Sequence, residues 1–334
     1  MISNENKKRM VSGIKPTAIP TLGNYLGAIK QFVKCQDEHE LLVFIADLHA
    51  LTLPIDPKEL RQNIIDLVCI YLACGLDPKK CKIFRQSEVI GHNDLSWVLT
   101  CNSVVGELAR MPQYKNYVET HDAKDGVPTG MLMYPSLMSA DILLYDADLV
   151  PVGADQMSHI DLCRDMAEKF NKRFPETFKV PSGVLSTSSS KIMSLSNPTR
   201  KMSKSESDKG TIYLLDPIEI SKKKIMKALT DSENKFYYDP ENKSGLSNLI
   251  NIYAALADIT VDDVVNLFKD VENYGVFKRA LCELLEAELV PLQQKVNEIK
   301  ETQSYKEVLF EGAMFATEIT RKKMCEVYTK IGLM

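Results

Sequence analysis

Leu41-Leu42-Val43-Phe44-Ile45-Ala46 is an unbroken apolar run of strand length, followed at once by Asp47-Leu48-His49-Ala50. A strand with no polar alternation needs cover on both faces, which is the situation of an inner strand of a parallel sheet. Parallel strands cannot be joined by tight turns and need crossovers, usually helical. This one stretch therefore commits the first part of the chain to an α/β layering.

The flanking sequence supplies the crossovers. Arg9 to Ser12 reads as a first strand, leading into a turn shaped by Gly13, Pro16 and Pro20, residues that forbid a helix there. Leu26, Ile29 and Phe32-Val33 then have helical spacing. Asp56-Pro57-Lys58-Glu59 reads as a helix start, with Asp56 as cap, Pro57 at the first position and Glu59 able to close a capping box. That helix is expected to run to about Cys74 and stop at Gly75, before a strand at Lys82–Gln86. Strand–helix–strand alternation of this kind predicts a Rossmann-like parallel sheet.

Polar residues just past such strands fall where open α/β sheets bind ligands. His49 is one, with a hydrogen-bonded core histidine as the equal alternative. Asp94–Tyr117 reads as mostly helical, with Gln113 and Lys115 near its end. A further helix is expected from Tyr134, placing Tyr134, Met138 and Asp141 on one face. An aspartate in an apolar stripe needs a partner or water. Leu149–Gly153 reads as a short strand that delivers Gly153, Asp155 and Gln156 to the start of a helix over Met157–Phe174, a pattern suited to ribose and amide recognition.

Ser182 to Ser190 is a small-residue run, and Arg200-Lys201-Met202-Ser203-Lys204-Ser205 follows as an exposed loop between two folded regions. Two flexible ammonium groups three residues apart suit the spreading charge of a polyphosphate whose bond is breaking. Thr211–Leu215 reads as a brief strand, and helices are expected at Ile218–Leu229, Leu246–Ala257, Val261–Phe268, Tyr274–Lys300 and Lys306–Ile331.

The turn at 13–24, between a strand and a helix, can form a nest of backbone N–H groups for phosphate. It is neither a GxGxxG fingerprint nor a Walker A loop. The 334 residues suffice for two domains, and 45% hydrophobic with 26% charged content is ordinary for a soluble globular protein. No apolar run spans a membrane, and Met1–Arg9 lacks the core of a signal peptide. Eight cysteines without a CxxC pair read as reduced, small core residues in a cytosolic setting, not zinc ligands. The net charge of −4 leaves phosphate contact to local patches, Lys222-Lys223-Lys224 with Lys227 and Arg321-Lys322-Lys323, each equally readable as a solvated helix face.

Taken in order, these residues resemble the tryptophanyl-tRNA synthetases of bacterial or organellar type, within the class I aminoacyl-tRNA synthetases. The resemblance is carried by Ser12-Gly13-Ile14 through Pro16-Thr17, by Thr21-x-Gly23-Asn24-Tyr25-x-Gly27, and by Tyr134-Pro135 with Met138-x-Ala140-Asp141-Ile142-Leu143-Leu144-Tyr145. Val150-Pro151-Val152-Gly153-x-Asp155-Gln156 and the KMSKS word Lys201–Ser205 complete it, with Leu246-Ser247-Asn248-Leu249 and Tyr274-Gly275 further on.

The resemblance implies a Rossmann catalytic domain over 1–195, completed by a C-terminal helix at 300–334, and a smaller all-α anticodon-binding region with the clamp loop over 196–299. It implies a cytoplasmic homodimer, or an organellar one in a eukaryote, that binds no membrane and no DNA. Its partners are tryptophan, ATP, Mg²⁺ held mainly by the phosphates, and tRNA(Trp). Thr21, Gly23 and Asn24 match the HIGH motif, with Asn24 facing phosphate. Gly153, Asp155 and Met202 match positions that hold ribose and adenine. Lys201, Ser203 and Lys204 match the mobile clamp on pyrophosphate. Tyr134, Gln156 and Gln113 match the polar end of the amino-acid pocket, with Met138 and His49 beside it, and Asp141 matches the acceptor of the indole N–H.

Four residues depart from the common pattern. Lys15 stands for a glutamine beside the phosphates, Tyr117 for a lysine, Val11 for a phenylalanine near the indole and Ala18 for a glycine. Lys15 is expected to restore charge missing at Tyr117. The rival readings are a tyrosyl-tRNA synthetase, which shares the fold, and a non-catalytic paralogue that senses tryptophan or binds RNA. A small nucleotidyltransferase is a third, though it has no use for the helices after 215.

Overall fold

The computed structural model describes residues 7–121, 126–185, 191–202 and 209–334. The apolar run pairs on both sides, as its composition requires. Strand β1 (Arg9–Ile14) and strand β2 (Glu40–Ile45) align with Met10 opposite Leu41, and Leu41 in turn faces Cys81 of β3 (Cys81–Arg85). On the far side of β1 come β4 (Leu149–Val152) and β5 (Ser182–Leu185), giving one all-parallel sheet in the order β3-β2-β1-β4-β5. The chain builds outward to β3, then returns to the other flank of β1. That reversal opens a crevice at the carboxyl ends of β1 and β4, where such folds place ligands.

Between β1 and β2 lies a helical run in three parts: α1 (Leu22–Asn24), a π-helical segment (Tyr25–Ile29) and α2 (Lys30–Cys35). After the single turn α3 (Asp47–Ala50), helix α4 (Pro57–Ala73) crosses back. Asp56 accepts from the N–H groups of Lys58 and Glu59, at 2.9 and 3.0 Å, and α4 ends at Gly75, whose φ of +103° suits only glycine well. The segment expected as one helix after Asp94 is three: α5 (Gly91–Cys101), α6 (Val105–Leu108) and α7 (Pro112–Thr120), with Pro112 starting the last. Helix α8 (Thr129–Leu143) begins five residues before Tyr134, and α9 is Met157–Arg173. The remaining helices are α10 (Ile218–Met226), α11 (Ser244–Ala257), α12 (Val261–Phe268), α13 (Tyr274–Thr302) and α14 (Tyr305–Ile331).

Strand alternation divides the core. Met10, Leu41, Val43, Ile45 and Ile83 face α4, and that apolar cluster continues without a break into Leu246, Leu249, Phe277 and Leu285 of the later helices. Val11, Leu42, Phe44 and Phe84 face the other way, against α5, α8, α9 and the end of α14. Helix α14 lies on β3, the edge strand. A Cβ at Gly312 would sit 1.9 Å from the Ile83 carbonyl oxygen, so helix and strand backbones touch directly. An edge strand offers unpaired backbone groups to other chains, and this helix covers them.

Three expectations need correction. Ser182–Leu185, read as part of a small-residue loop, is strand β5. Thr211–Leu215 is no strand; it makes a single antiparallel bridge, Tyr213 to Thr21. Not every cysteine is a core residue, since Cys101 and Cys325 are exposed. Burial pushes the Cys81 and Cys163 thiols up to about 12. No described helix is long and apolar enough to cross a membrane.

Candidate active site

The turn after β1 is shaped by its own side chains. Thr21 caps α1, accepting from Asn24 N–H at 3.2 Å, while Asn24 Oδ1 accepts from Thr21 N–H at 3.0 Å. With Oδ1 committed, the Nδ2 amide is what Asn24 has left to donate to a ligand. Lys15 stands at the end of β1; its side chain reaches the surface, yet crowding withdraws the ammonium from water and lowers its pKa.

The clamp loop is fastened to this same turn. Leu22 N–H donates to Ile212 O at 2.8 Å and Leu214 N–H to Pro20 O at 3.0 Å. At the loop base Met193 pairs with Lys201, and Met202 N–H donates to Ile192 O at 3.0 Å. Asn248 of α11 accepts from Met193 N–H at 2.8 Å and donates to Met193 O at 2.9 Å. Met202 is buried, and a Cβ added at Gly23 would lie 3.6 Å from it. Lys201 is exposed, and Ser203 and Lys204 lie outside the described residues. The Thr21–Asn24 turn and Lys201-Met202 thus meet in space, although about 180 residues separate them.

Beyond the end of β2 lies a closed polar cluster. Asp141, on α8 and 1% exposed, takes Gln86 Nε2 at 2.7 Å and His92 Nδ1 at 2.6 Å on Oδ1, and His49 Nε2 at 2.8 Å on Oδ2. Burial alone would raise this carboxyl, but the hydrogen bonds from His49 and His92 outweigh it and hold the group below its ordinary range. A carboxylate offers about four lone-pair directions. Three are occupied, and Oδ2 keeps one for an incoming donor.

Tyr134, one turn or more before Asp141 on α8, donates to Gln113 Oε1 at 2.7 Å and accepts from His159 Nε2. Its ring stands edge-on to His49, with centroids 6.4 Å apart. Burial raises the Tyr134 phenol, so it stays protonated and remains a donor. Met138, partly buried, packs against the core cluster that holds Phe44 and Ala140. Gly153 is exposed at the end of β4, followed by a single 3₁₀ turn, Ala154–Gln156, that places Gln156 at the cap of α9. The Asp155 side chain lies outside the described ones.

His49, Asp141, Tyr134 and Gln113 are therefore brought together, as are Thr21, Gly23, Asn24 and Met202. Sequence reasoning missed Gln86, His92, Tyr145 and His159, each buried in these clusters. For Gln86 a signal existed: it follows a strand at the sheet's carboxyl edge, as His49 does. Among the described residues no group of three or more His, Cys, Asp or Glu side chains is arranged to hold a metal ion. The arrangement offers a buried anionic acceptor beyond the end of β2 and, beyond the end of β1, a lysine-bearing loop packed on a backbone turn.

Comparisons with known proteins agree on one family. The family described as tRNA synthetases class I (W and Y) matches residues 3–290. A tryptophan–tRNA ligase of Caldanaerobacter subterraneus subsp. tengcongensis is 45% identical over 327 residues, covering 98% of both chains. One of Bacillus anthracis is 44% identical over 323 residues, 96% of this chain and 97% of that one. Among solved structures, tryptophanyl-tRNA synthetase from Mycoplasma pneumoniae superposes with a TM-score of 0.88 at 37% identity, covering 98% of each chain. The Campylobacter jejuni enzyme, complexed with ADP and tryptophan, gives 0.82 at 33% identity over 97% of this chain and 99% of that one.

Proposed function

The chain belongs to the class I tRNA synthetases of the W and Y family and carries out tryptophan–tRNA ligation, and on that premise we propose how its residues share the work. The observation that carries the proposal is the Asp141 carboxylate, buried, kept ionised, and left with one open acceptor direction on Oδ2. The indole N–H is the donor that fills it. A substrate without a donor there leaves a buried charge short of a partner, a loss of roughly 1–3 kcal/mol. Tyr134, Gln113 and Gln156 receive the ammonium end, with His49 and Met138 as walls.

ATP enters from the side of the turn after β1. Gly23 and Met202 border the adenine, Gly153 and Asp155 the ribose, and Asn24, Thr21, Lys15 and Ser203 the phosphates. The tryptophan carboxylate attacks the α-phosphorus and pyrophosphate leaves, its growing charge met by Lys201 and Lys204. Mg²⁺ rides on the triphosphate and contributes charge balance. Tryptophan then passes from the adenylate to the 2′-hydroxyl of the terminal ribose of tRNA(Trp).

On the same proposal, 1–195 with the C-terminal helix at 300–334 catalyse, and 196–299 carry the clamp and read the anticodon. A homodimer is supported by exposed apolar side chains on and around α5, namely Ile90, Trp97, Val104 and Val105, with Trp97 at 69%. Tryptophan-dependent exchange of pyrophosphate into ATP, followed by charging of a tRNA pool, tests the assignment. A chain that binds tryptophan and RNA but exchanges nothing would be the non-catalytic paralogue instead.

A further inference from the structure

His92 has no place in the reaction just described, yet it is fully buried and its geometry is unusually complete. Its ring lies among Phe44, Phe84 and Tyr145, with centroids 5.8, 6.2 and 5.5 Å away. The room for Phe44 comes from β1: a Cβ at Gly13 would fall 2.6 Å from that ring. Nδ1 faces Asp141 Oδ1 at 2.6 Å and Nε2 faces the Tyr145 hydroxyl at 2.8 Å.

A neutral imidazole has one N–H and one bare nitrogen, and the partner of either nitrogen decides which is which. Tyr145 is buried, loss of hydration keeps its phenol protonated, and His92 Nε2 is the acceptor that its hydroxyl meets, so it donates there. Nε2 must then accept, and the ring proton sits on Nδ1, aimed at Asp141. The second donor to the same oxygen is fixed in a parallel way. Gln86 Oε1 accepts from Leu48 N–H at 3.1 Å, which turns its Nε2 toward Asp141.

We propose that Tyr145 and His92 are positioning residues for amino-acid selection: the Tyr145 hydroxyl sets the His92 tautomer, and His92 holds Asp141 Oδ1 so that the open direction of Oδ2 meets the indole N–H. This rests on the reading that Asp141 accepts from the indole. Both residues act through Asp141 and touch no substrate atom. Losing the relay frees the carboxylate to turn or to take a proton. The effect is confined to substrates that use the N–H.

The test compares tryptophan with its benzothiophene analogue, which has the same outline but sulfur in place of N–H, in pyrophosphate exchange. Tyr145→Phe keeps the ring and its packing and removes only the hydroxyl. It is expected to raise KM for tryptophan roughly 3- to 10-fold with kcat nearly unchanged, as for one lost buried hydrogen bond, and to leave the sulfur analogue unaltered. His92→Leu has the larger effect in the same direction, and His92→Gln, which retains a donor, recovers part of it. Equal losses on both substrates mean a merely structural role and overturn the proposal, as does no loss on tryptophan.

Asp141→Ala, which removes both acceptor oxygens, separates the indole contact from the relay. If it leaves the preference for tryptophan over the analogue intact, Asp141 is not the indole acceptor and the underlying reading fails. If it abolishes the preference while Tyr145→Phe and His92→Leu preserve it, the reading stands and the relay alone is wrong.

Discussion

Asn248 holds both main-chain groups of Met193, its carboxamide accepting from the N–H and donating to the carbonyl. Met193 is the residue paired with Lys201, so a helix of the later half grips the base of the clamp loop. A buried amide making two such bonds fixes the strand direction of the loop before any nucleotide arrives.

Replacing that amide should loosen the clamp without touching tryptophan. Asn248→Ala leaves two main-chain groups short of a partner, each worth about 1 kcal/mol. We expect kcat for pyrophosphate exchange to fall roughly 10-fold or more, with KM for tryptophan within a factor of ~2. Steady-state exchange kinetics over both substrates give the answer; a rise in tryptophan KM alone would falsify the coupling.

Charge at the phosphate end is separable in the same way. Lys204→Ala should slow adenylate formation while tryptophan binding, followed by fluorescence titration, is retained, because the clamp acts on charge that develops in the transition state. If Lys15 partly compensates for the lysine replaced at Tyr117, Lys15→Gln should raise KM for ATP. Unchanged ATP kinetics in Lys15→Gln would remove that compensation from the account.

Gly312 tests the seat of the last helix. Any side chain there meets the Ile83 carbonyl, so Gly312→Ala must push α14 off β3. A cost of ~1–3 kcal/mol is expected for such overpacking, read as a drop in Tm of about 1–2 °C per kcal/mol in a chain of this size. A thermal melt indistinguishable from that of the parent protein would mean that helix and strand backbones are not in contact.

Acid stability carries the mark of Glu233. Hydrogen bonds from Lys243 and Lys235 bring its carboxyl down to about 2. A carboxyl depressed in the folded state adds stability above its unfolded pKa, roughly 4.3, and loses it as pH falls through the folded value. The Tm gap between the parent and Glu233→Gln should thus be constant above about pH 5 and close as pH approaches 2. Melts across that range check it; a gap that widens on acidification contradicts the pairing.

How much of this was legible beforehand depends on how far apart the deciding groups lie. Strands β1 to β4 and helices α4 and α9 to α14 follow from local pattern and caps, because burial on a sheet or on one helix stripe leaves a period in the sequence. Strand β5 does not, since Ser182-Gly183-Val184-Leu185 at the sheet's outer edge is largely uncovered and needs little apolar area. The π-helical segment is equally hidden, because Leu26, Ile29 and Phe32 fit either winding. In the site, His49 and Asp141 stood out as polar residues in apolar company. Their partners Gln86 and His92 come from two further places in the chain, and only the folded sheet brings them to one carboxylate, while Tyr145, four residues after Asp141, joins through His92.

The seating of α14 on β3 also sets an order of events during synthesis. The outer strand is translated early, whereas the helix that shields it follows only after α4 to α13 have been made. Throughout that interval the nascent sheet carries a bare, sticky margin, the kind that recruits neighbouring chains. Ribosomes that stall before α14 should therefore release products that depend on chaperones or clump, even though every catalytic side chain is already present in them.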